Sequence, residues 1–167
     1  MALHYIAAAA AAVAIRYKKE QPFASPLSPF VGASSATAEM NPAPIEPSWV
    51  LSGDPQARYA SHSEATDKFA STGVWDCTAG TFRWYFGWDE TVVILEGEVR
   101  VTAVDGTQQV LRAGDVGYFR GGTWATWQID DYVKKIAFVR KPLPMALSLA
   151  LRAWGRLMRQ ASAGLAG

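Results

Sequence analysis

Two histidines, His4 and His62, and one cysteine, Cys77, are the only imidazole and thiol side chains in the 167 residues. Two imidazoles cannot build a three-histidine metal site, and no carboxylates stand at ligand spacing to replace the third, so neither a metal nor a cofactor is expected. Cys77 has no histidine nearby in sequence to activate it and reads as a small buried hydrophobe. The remaining chemistry gathers where Arg83, Tyr85 and Glu90 lie close together, with Trp127 and Lys135 further along. An arginine grips a carboxylate through two parallel hydrogen bonds, aromatic walls add apolar contact, and a buried glutamate can serve as acid or base. No nucleophile–base pair accompanies them.

The elements that must position these residues read as short strands. Residues 74–77 and 81–85, broken at Gly80, precede a turn at Gly87-Trp88-Asp89. After it Glu90, Val92 and Ile94 share one strand face and Thr91, Val93 and Leu95 the other. Both faces are apolar past Glu90, the mark of a strand covered on each side. Val99, Val101 and Ala103 alternate with polar neighbours, and Asp105-Gly106 closes a two-residue hairpin. Gly114-Asp115 makes the next turn. Strands follow at Tyr118-Phe119 and residues 123–129, then a turn at Asp130-Asp131 and a last strand over 132–140. That strand puts Lys134 and Lys135 on opposite faces. Upstream, Trp49-Val50-Leu51 is a short apolar patch, and the polar residues 59–72 read as a loop.

Flanking segments differ in character. Residues 1–44 read as a flexible arm: an apolar, alanine-rich run at 2–15, too short for the roughly 20 residues of a membrane span, then a Pro/Ser/Ala-rich stretch without periodicity. An equal expectation is that Met40 is the true start, with residues 1–39 an upstream translation artefact. After Pro144, Leu147, Leu151, Trp154 and Leu157 recur at helical spacing beside Arg152, Arg156 and Arg159. The segment 141–167 is therefore expected to be a basic amphipathic helix and tail, able to make weak membrane-surface contact through those arginines. The net charge is +1, and residues 41–140 hold nine basic and thirteen acidic side chains. No nucleic-acid partner is expected of so acidic a domain, whose tryptophans read as core and rim. A lone cysteine gives no sign of an oxidising compartment, and a cytoplasmic location is expected.

The order of these motifs resembles that of the cupin family. Six residues separate Glu90 from Gly97 as in that family's first motif, and Gly114 and Gly122 take the glycine positions of its second. The likeness extends to a subgroup related to the cupin domain of (S)-ureidoglycine aminohydrolase. It is carried by Val74-Trp75-Asp76-Cys77, Gly80-Thr81-Phe82-Arg83-Trp84, Asp89-Glu90, Glu96-Gly97-Glu98-Val99, Asp105-Gly106, Gly114-Asp115, Trp127 and Val133-Lys134-Lys135. The resemblance implies an all-β, cupin-type small β-barrel (a double-stranded β-helix, or jelly roll) over residues 45–140, with a C-terminal amphipathic helix. It also implies that the inward positions occupied by metal-binding histidines in the family fall here on Arg83 and Tyr85 or on Trp84 and Phe86, depending on turn length, and on Ala125. Arg120 replaces the proline of the second motif.

On the first alternative Arg83, Tyr85, Glu90, Trp127 and Lys135 line one pocket, with Arg83 either plugging it as an ion pair with Glu90 or holding a small acid. The expected function is binding of a small anionic or amide-bearing metabolite in the barrel. A metal-free acid–base enzyme, hydrolase or isomerase, is the alternative, and a membrane-surface accessory protein acting through the basic helix a further one. A homodimer is expected, paired through the outer sheet.

Overall fold

The computed structural model describes residues 30–164, with side chains through residue 155. Its strands are β1 (Asn41–Pro42), β2 (Val50–Gly53), β3 (Ala57–Glu64), β4 (Ala70–Phe86), β5 (Asp89–Ala103), β6 (Gln108–Arg112), β7 (Val116–Phe119) and β8 (Thr123–Arg140). A helix, α1, covers Met145–Gly164. The strands form one sheet in the order β1-β3-β4-β8-β5-β6, with β2 also on β4 and β7 also on β5. Every pairing is antiparallel.

β8, 18 residues long, is the axis of this sheet, paired with β4 along one edge and β5 along the other. Phe86 faces Thr123 at the start of β8, whereas Asp89 faces Arg140 at its end. A straight strand of that length would hold those ends about 56 Å apart, while the link from residue 86 to 89 can reach about 11 Å. The sheet must therefore curl until the two ends of β8 meet, and the barrel closes there. Asp89 fastens the seam: its Oδ1 accepts the Gly121 N–H at 3.0 Å and its Oδ2 lies 3.5 Å from Arg140 Nη1. The Gly122 N–H donates to the Phe86 carbonyl at 2.6 Å.

Strong curling over long strands is absorbed at bulges. Register shifts fall between Thr78 and Gly80 on β4 and between Gly97 and Arg100 on β5, both opposite the Asp130-Asp131 region of β8. At Gly97 φ is +71°, and a Cβ there would overlap the Tyr132 carbonyl, so the bulge requires glycine. Three sequence expectations change accordingly. Gly80 does not break β4, nor does Asp130-Asp131 break β8; a bulge carries each strand through. The turn expected at Gly87-Trp88 is there, and it joins strands that do not pair with each other. Residues 59–72, expected as a loop, supply most of β3 and the start of β4.

The barrel interior is one apolar cluster that includes Phe82, Phe86, Val92, Ile94, Val99, Trp127 and Val133. The chain divides into a β unit, Ser28–Pro142, and a second unit that contains α1. The expected helix is present; the Pro144 carbonyl accepts the Ser148 N–H at 3.0 Å to begin it, and Arg152 is exposed. The expectations for residues 1–29 and for the side chains of Arg156 and Arg159 lie outside the described residues. Among the described residues no helix is long and apolar enough to cross a membrane.

Candidate functional site

The bulge at Thr78/Gly80 decides which β4 side chains enter the barrel. Before it the inward residues are Trp75 and Cys77; after it the parity changes and Phe82, Trp84 and Phe86 turn inward. Arg83 and Tyr85 are exposed on the opposite face. The geometry is thus the second of the two alternatives left open by the sequence, and the pairing of Arg83 with Glu90 is corrected. Arg83 instead lays its guanidinium over Trp124, 4.7 Å from the ring centre, and Tyr85 packs against the same indole at 5.1 Å.

Glu90, Trp127 and Lys135 do face the interior together. Lys135 stands on β8 between Trp75 of β4 and Ile94 of β5, so its side chain leaves the sheet on the core face. Its Nζ donates to Glu90 Oε1 at 2.6 Å, with side-chain exposures of 6% and 14%. The ammonium also lies 4.7 Å from the Trp127 ring centre and 5.1 Å from that of Trp75, close enough for cation–π attraction. Lys134, its neighbour, points the other way and meets Glu96 at 3.4 Å, as strand alternation requires.

Around this ion pair the walls are aromatic. Trp75 meets Phe82, Trp84 and Trp127 edge to face, and Trp49 reaches Trp84 at 5.8 Å from the segment before β2. A cavity of about 10 Å³ remains between Trp75, Phe82, Trp84, Trp127 and Lys135. That is room for one water molecule. Among the described residues the Trp127 indole Nε1–H has no hydrogen-bond partner, and it is buried. A buried donor of this kind costs about 1–3 kcal/mol unless an acceptor reaches it.

The cupin resemblance implies a divalent metal, and these residues do not fit one. Trp84, Phe86 and Ala125 cannot ligate. Glu90, the inward carboxylate, already carries a cation in the ammonium of Lys135. Among the described residues no three or more His, Cys, Asp or Glu side chains gather into a metal-holding group. Selective divalent sites need several converging ligands.

A second polar cluster, on the outer face, was not anticipated. Asp76 on β4, 2% exposed, accepts from Arg58 Nε at 3.0 Å and Nη2 at 2.7 Å, and from the Tyr132 hydroxyl at 3.0 Å. It ties β3, β4 and β8 together with its acceptors engaged. Burial first, then the bond to Asp76, pushes the Tyr132 hydroxyl up to about 12. Its one sequence signal is an aspartate inside the apolar Val74-Trp75-Asp76-Cys77.

The model of the EutQ-like cupin domain matches residues 64–137, which run from the end of β3 to the ammonium-bearing part of β8. A protein of unknown function from Pseudomonas syringae pv. tomato, of the DUF861 family, is 28% identical over 62% of this chain, with a TM-score of 0.57. The match spans 45% of that protein's length. A predicted oxalate decarboxylase from Thermotoga maritima shares the fold at 15% identity, 66% of this chain, 99% of its own and a TM-score of 0.53. The cupin domain of Schizosaccharomyces pombe Cnp3 does so at 14% identity, 67% and 70% coverage and a TM-score of 0.53. No curated protein matches the sequence.

Proposed function

We propose that this chain, a cupin-domain protein related to the EutQ-like and DUF861 proteins, binds a small anionic or amide-bearing metabolite inside its barrel. The observation that carries this reading is the buried ammonium of Lys135, set in an aromatic wall beside the unpartnered indole N–H of Trp127. Lys135 supplies the positive charge that a bound metal would otherwise bring. One of its three N–H donors meets Glu90, which leaves two for a ligand oxygen. Trp127 offers a further donor, and the flat walls suit a planar carboxylate or amide. The likeness to the cupin domain of (S)-ureidoglycine aminohydrolase makes ureides a natural class to include. Because the cavity has room for only one water, a larger ligand enters by displacing side chains; half-buried Trp84, with Trp49 against it, is the one placed to move.

A second reading rests on the same pair. An ammonium donor 2.6 Å from a carboxylate acceptor is equipped to move a proton to or from a bound substrate, as a metal-free acid–base enzyme would.

A thermal-shift screen of small carboxylates, amides and ureides tests the binding reading. A ligand at a hundred times its Kd adds about 2.7 kcal/mol, a rise of roughly 5–10 °C in Tm for a chain of this size. The rise should vanish in Lys135→Met, measured against that variant's own Tm. Trp127→Phe, which keeps a ring and removes the N–H, should diminish it and serves if Lys135→Met does not fold. Absence of any stabilising compound, or equal rises in wild type and variants, rejects the site.

A further inference from the structure

Arg83, displaced from the interior by the β4 bulge, has a place of its own on the outside. Across β4, β8 and β5 the register sets Arg83, Thr126 and Thr102 in one row, opposite one another and therefore on one face. The neighbouring row on that face is Thr81, Gln128 and Arg100. Behind these rows the intervening residues Phe82, Trp127 and Val101 are buried, which fixes the face as the outer one. A cleft of about 240 Å³ opens there, lined by Arg83, Thr102, Val104, Trp124 and Thr126.

Electrostatics distinguish this cleft from an ordinary solvated face. Among the described residues neither Arg83 nor Arg100 has a carboxylate within ion-pair distance. The acids nearest in register are engaged elsewhere: Glu98 with Arg112 at 3.0 Å, and Asp130 with Gln128 Nε2 at 3.0 Å. Arg83 is also held in place. Its guanidinium lies over Trp124, 4.7 Å from the ring centre, and Trp124 is itself packed against Tyr85 and Trp49, each at 5.1 Å. A guanidinium fixed by stacking keeps its N–H fork free and loses little entropy when an oxyanion arrives.

We propose that this outer cleft is a binding site for a small phosphate-bearing ligand. Arg83 takes two of its oxygens in a bidentate grip, and the Thr102 and Thr126 hydroxyls donate to the others. Arg100, two residues from Thr102 on the same strand face, adds the second positive charge that favours a dianion over a carboxylate. Trp124 acts as a positioning residue, setting the plane of the guanidinium. The site lies on the opposite face of the sheet from Lys135 and does not depend on the interior reading.

Titration of the full chain with inorganic phosphate, at constant ionic strength and followed by intrinsic tryptophan fluorescence and 31P NMR line width, tests this. Saturable binding is expected, weakened by about tenfold or more in Arg83→Met, as for loss of a charged hydrogen-bonding group. Arg83→Lys should restore little of it, because an ammonium lacks the fork. Arg100→Met should weaken phosphate more than formate. Lys135→Met should leave phosphate binding unchanged, which separates this site from the interior one. Non-saturable binding, equal affinity in Arg83→Met, or formate bound as tightly as phosphate in an Arg83-dependent way would each overturn the proposal.

Discussion

Removing one half of the Lys135–Glu90 pair should harm the fold far more than removing both. The charged atoms are 2.6 Å apart. At an effective dielectric of about 20 their attraction is roughly 6 kcal/mol. Taking each ion out of water costs several kcal/mol, so the pair as a whole is close to neutral for stability. Lys135→Met keeps the volume, removes the ammonium and leaves the Glu90 carboxylate, 14% exposed, without its partner. The cost is about 3–5 kcal/mol. Glu90→Met strands the ammonium instead, but Trp75 and Trp127 still face it, and cation–π attraction of roughly 1 kcal/mol softens the loss. The double variant Lys135→Met/Glu90→Met should return to within about 1 kcal/mol of wild type or exceed it. Urea unfolding of the four proteins at neutral pH, with equal m-values as the check on two-state behaviour, gives the coupling directly. A coupling above about 3 kcal/mol is expected. Additive variants, with a coupling below about 0.5 kcal/mol, would show a solvent-screened pair and refute the reasoning.

Three further outcomes are expected. Burial, and secondarily the charge of Asp76, raises the Cys77 thiol from 9.0 to about 12. The folded state therefore keeps a proton that the unfolded chain gives up: this stability is full below pH 9 and is lost as pH rises towards 12, at up to about 1.4 kcal/mol per pH unit. Cys77→Ala lacks that slope, so the stability gap between it and wild type should narrow from pH 8 to pH 10.5 in urea melts; a constant gap counts against buried-thiol titration. Gly97→Ala drives a Cβ into the Tyr132 carbonyl at a left-handed backbone position and should cost about 3 kcal/mol or more, whereas Gly106→Ala, with open space around it, should cost about 1 kcal/mol. Equal melting points for the two would refute the close approach. Finally, Phe138, Thr91 and Tyr118 align across β8, β5 and β7 with Ile136, Val93 and Val116 in the next row, and Val116, Tyr118 and Phe138 are exposed. A second copy is expected to cover this face, so light scattering at micromolar concentration should give a dimer mass, and Tyr118→Glu a monomer. A monomeric wild type would reject that partner.

The barrel could be read from the sequence because its turns use residues that few other positions tolerate. Gly97, Asp105-Gly106, Gly114 and Gly122 each appear in the structure with positive φ at the glycine, and they carry part of the resemblance that implied the fold. β3 escaped detection because only Ala57 and Ala60 of its eight residues are buried, and alanine gives a weak alternation signal. The continuity of β4 and β8 was hidden because a bulge and a turn use the same residue types, Gly and Asp. Counted back from Glu90, the inward parity of β4 depends on the length of the turn at 87–89, so Arg83 and Tyr85 were as good a choice as Trp84 and Phe86 until the register placed them. Lys135 was legible as a candidate, since Lys134 and Lys135 must face opposite ways. Its partner was not, because Glu90 lies 45 residues earlier and meets it only when β5 is laid along β8.

The indole N–H of Trp127 tests the central claim most directly. In protein labelled with 15N-tryptophan it gives one 1H–15N cross-peak, assigned by its disappearance in Trp127→Phe. Titrated with a compound that raises the Tm, this peak should move downfield and saturate with the same Kd, as the unpartnered donor gains an acceptor beside Lys135. A peak that stays still while such compounds saturate the protein would place binding elsewhere and contradict an interior ligand site.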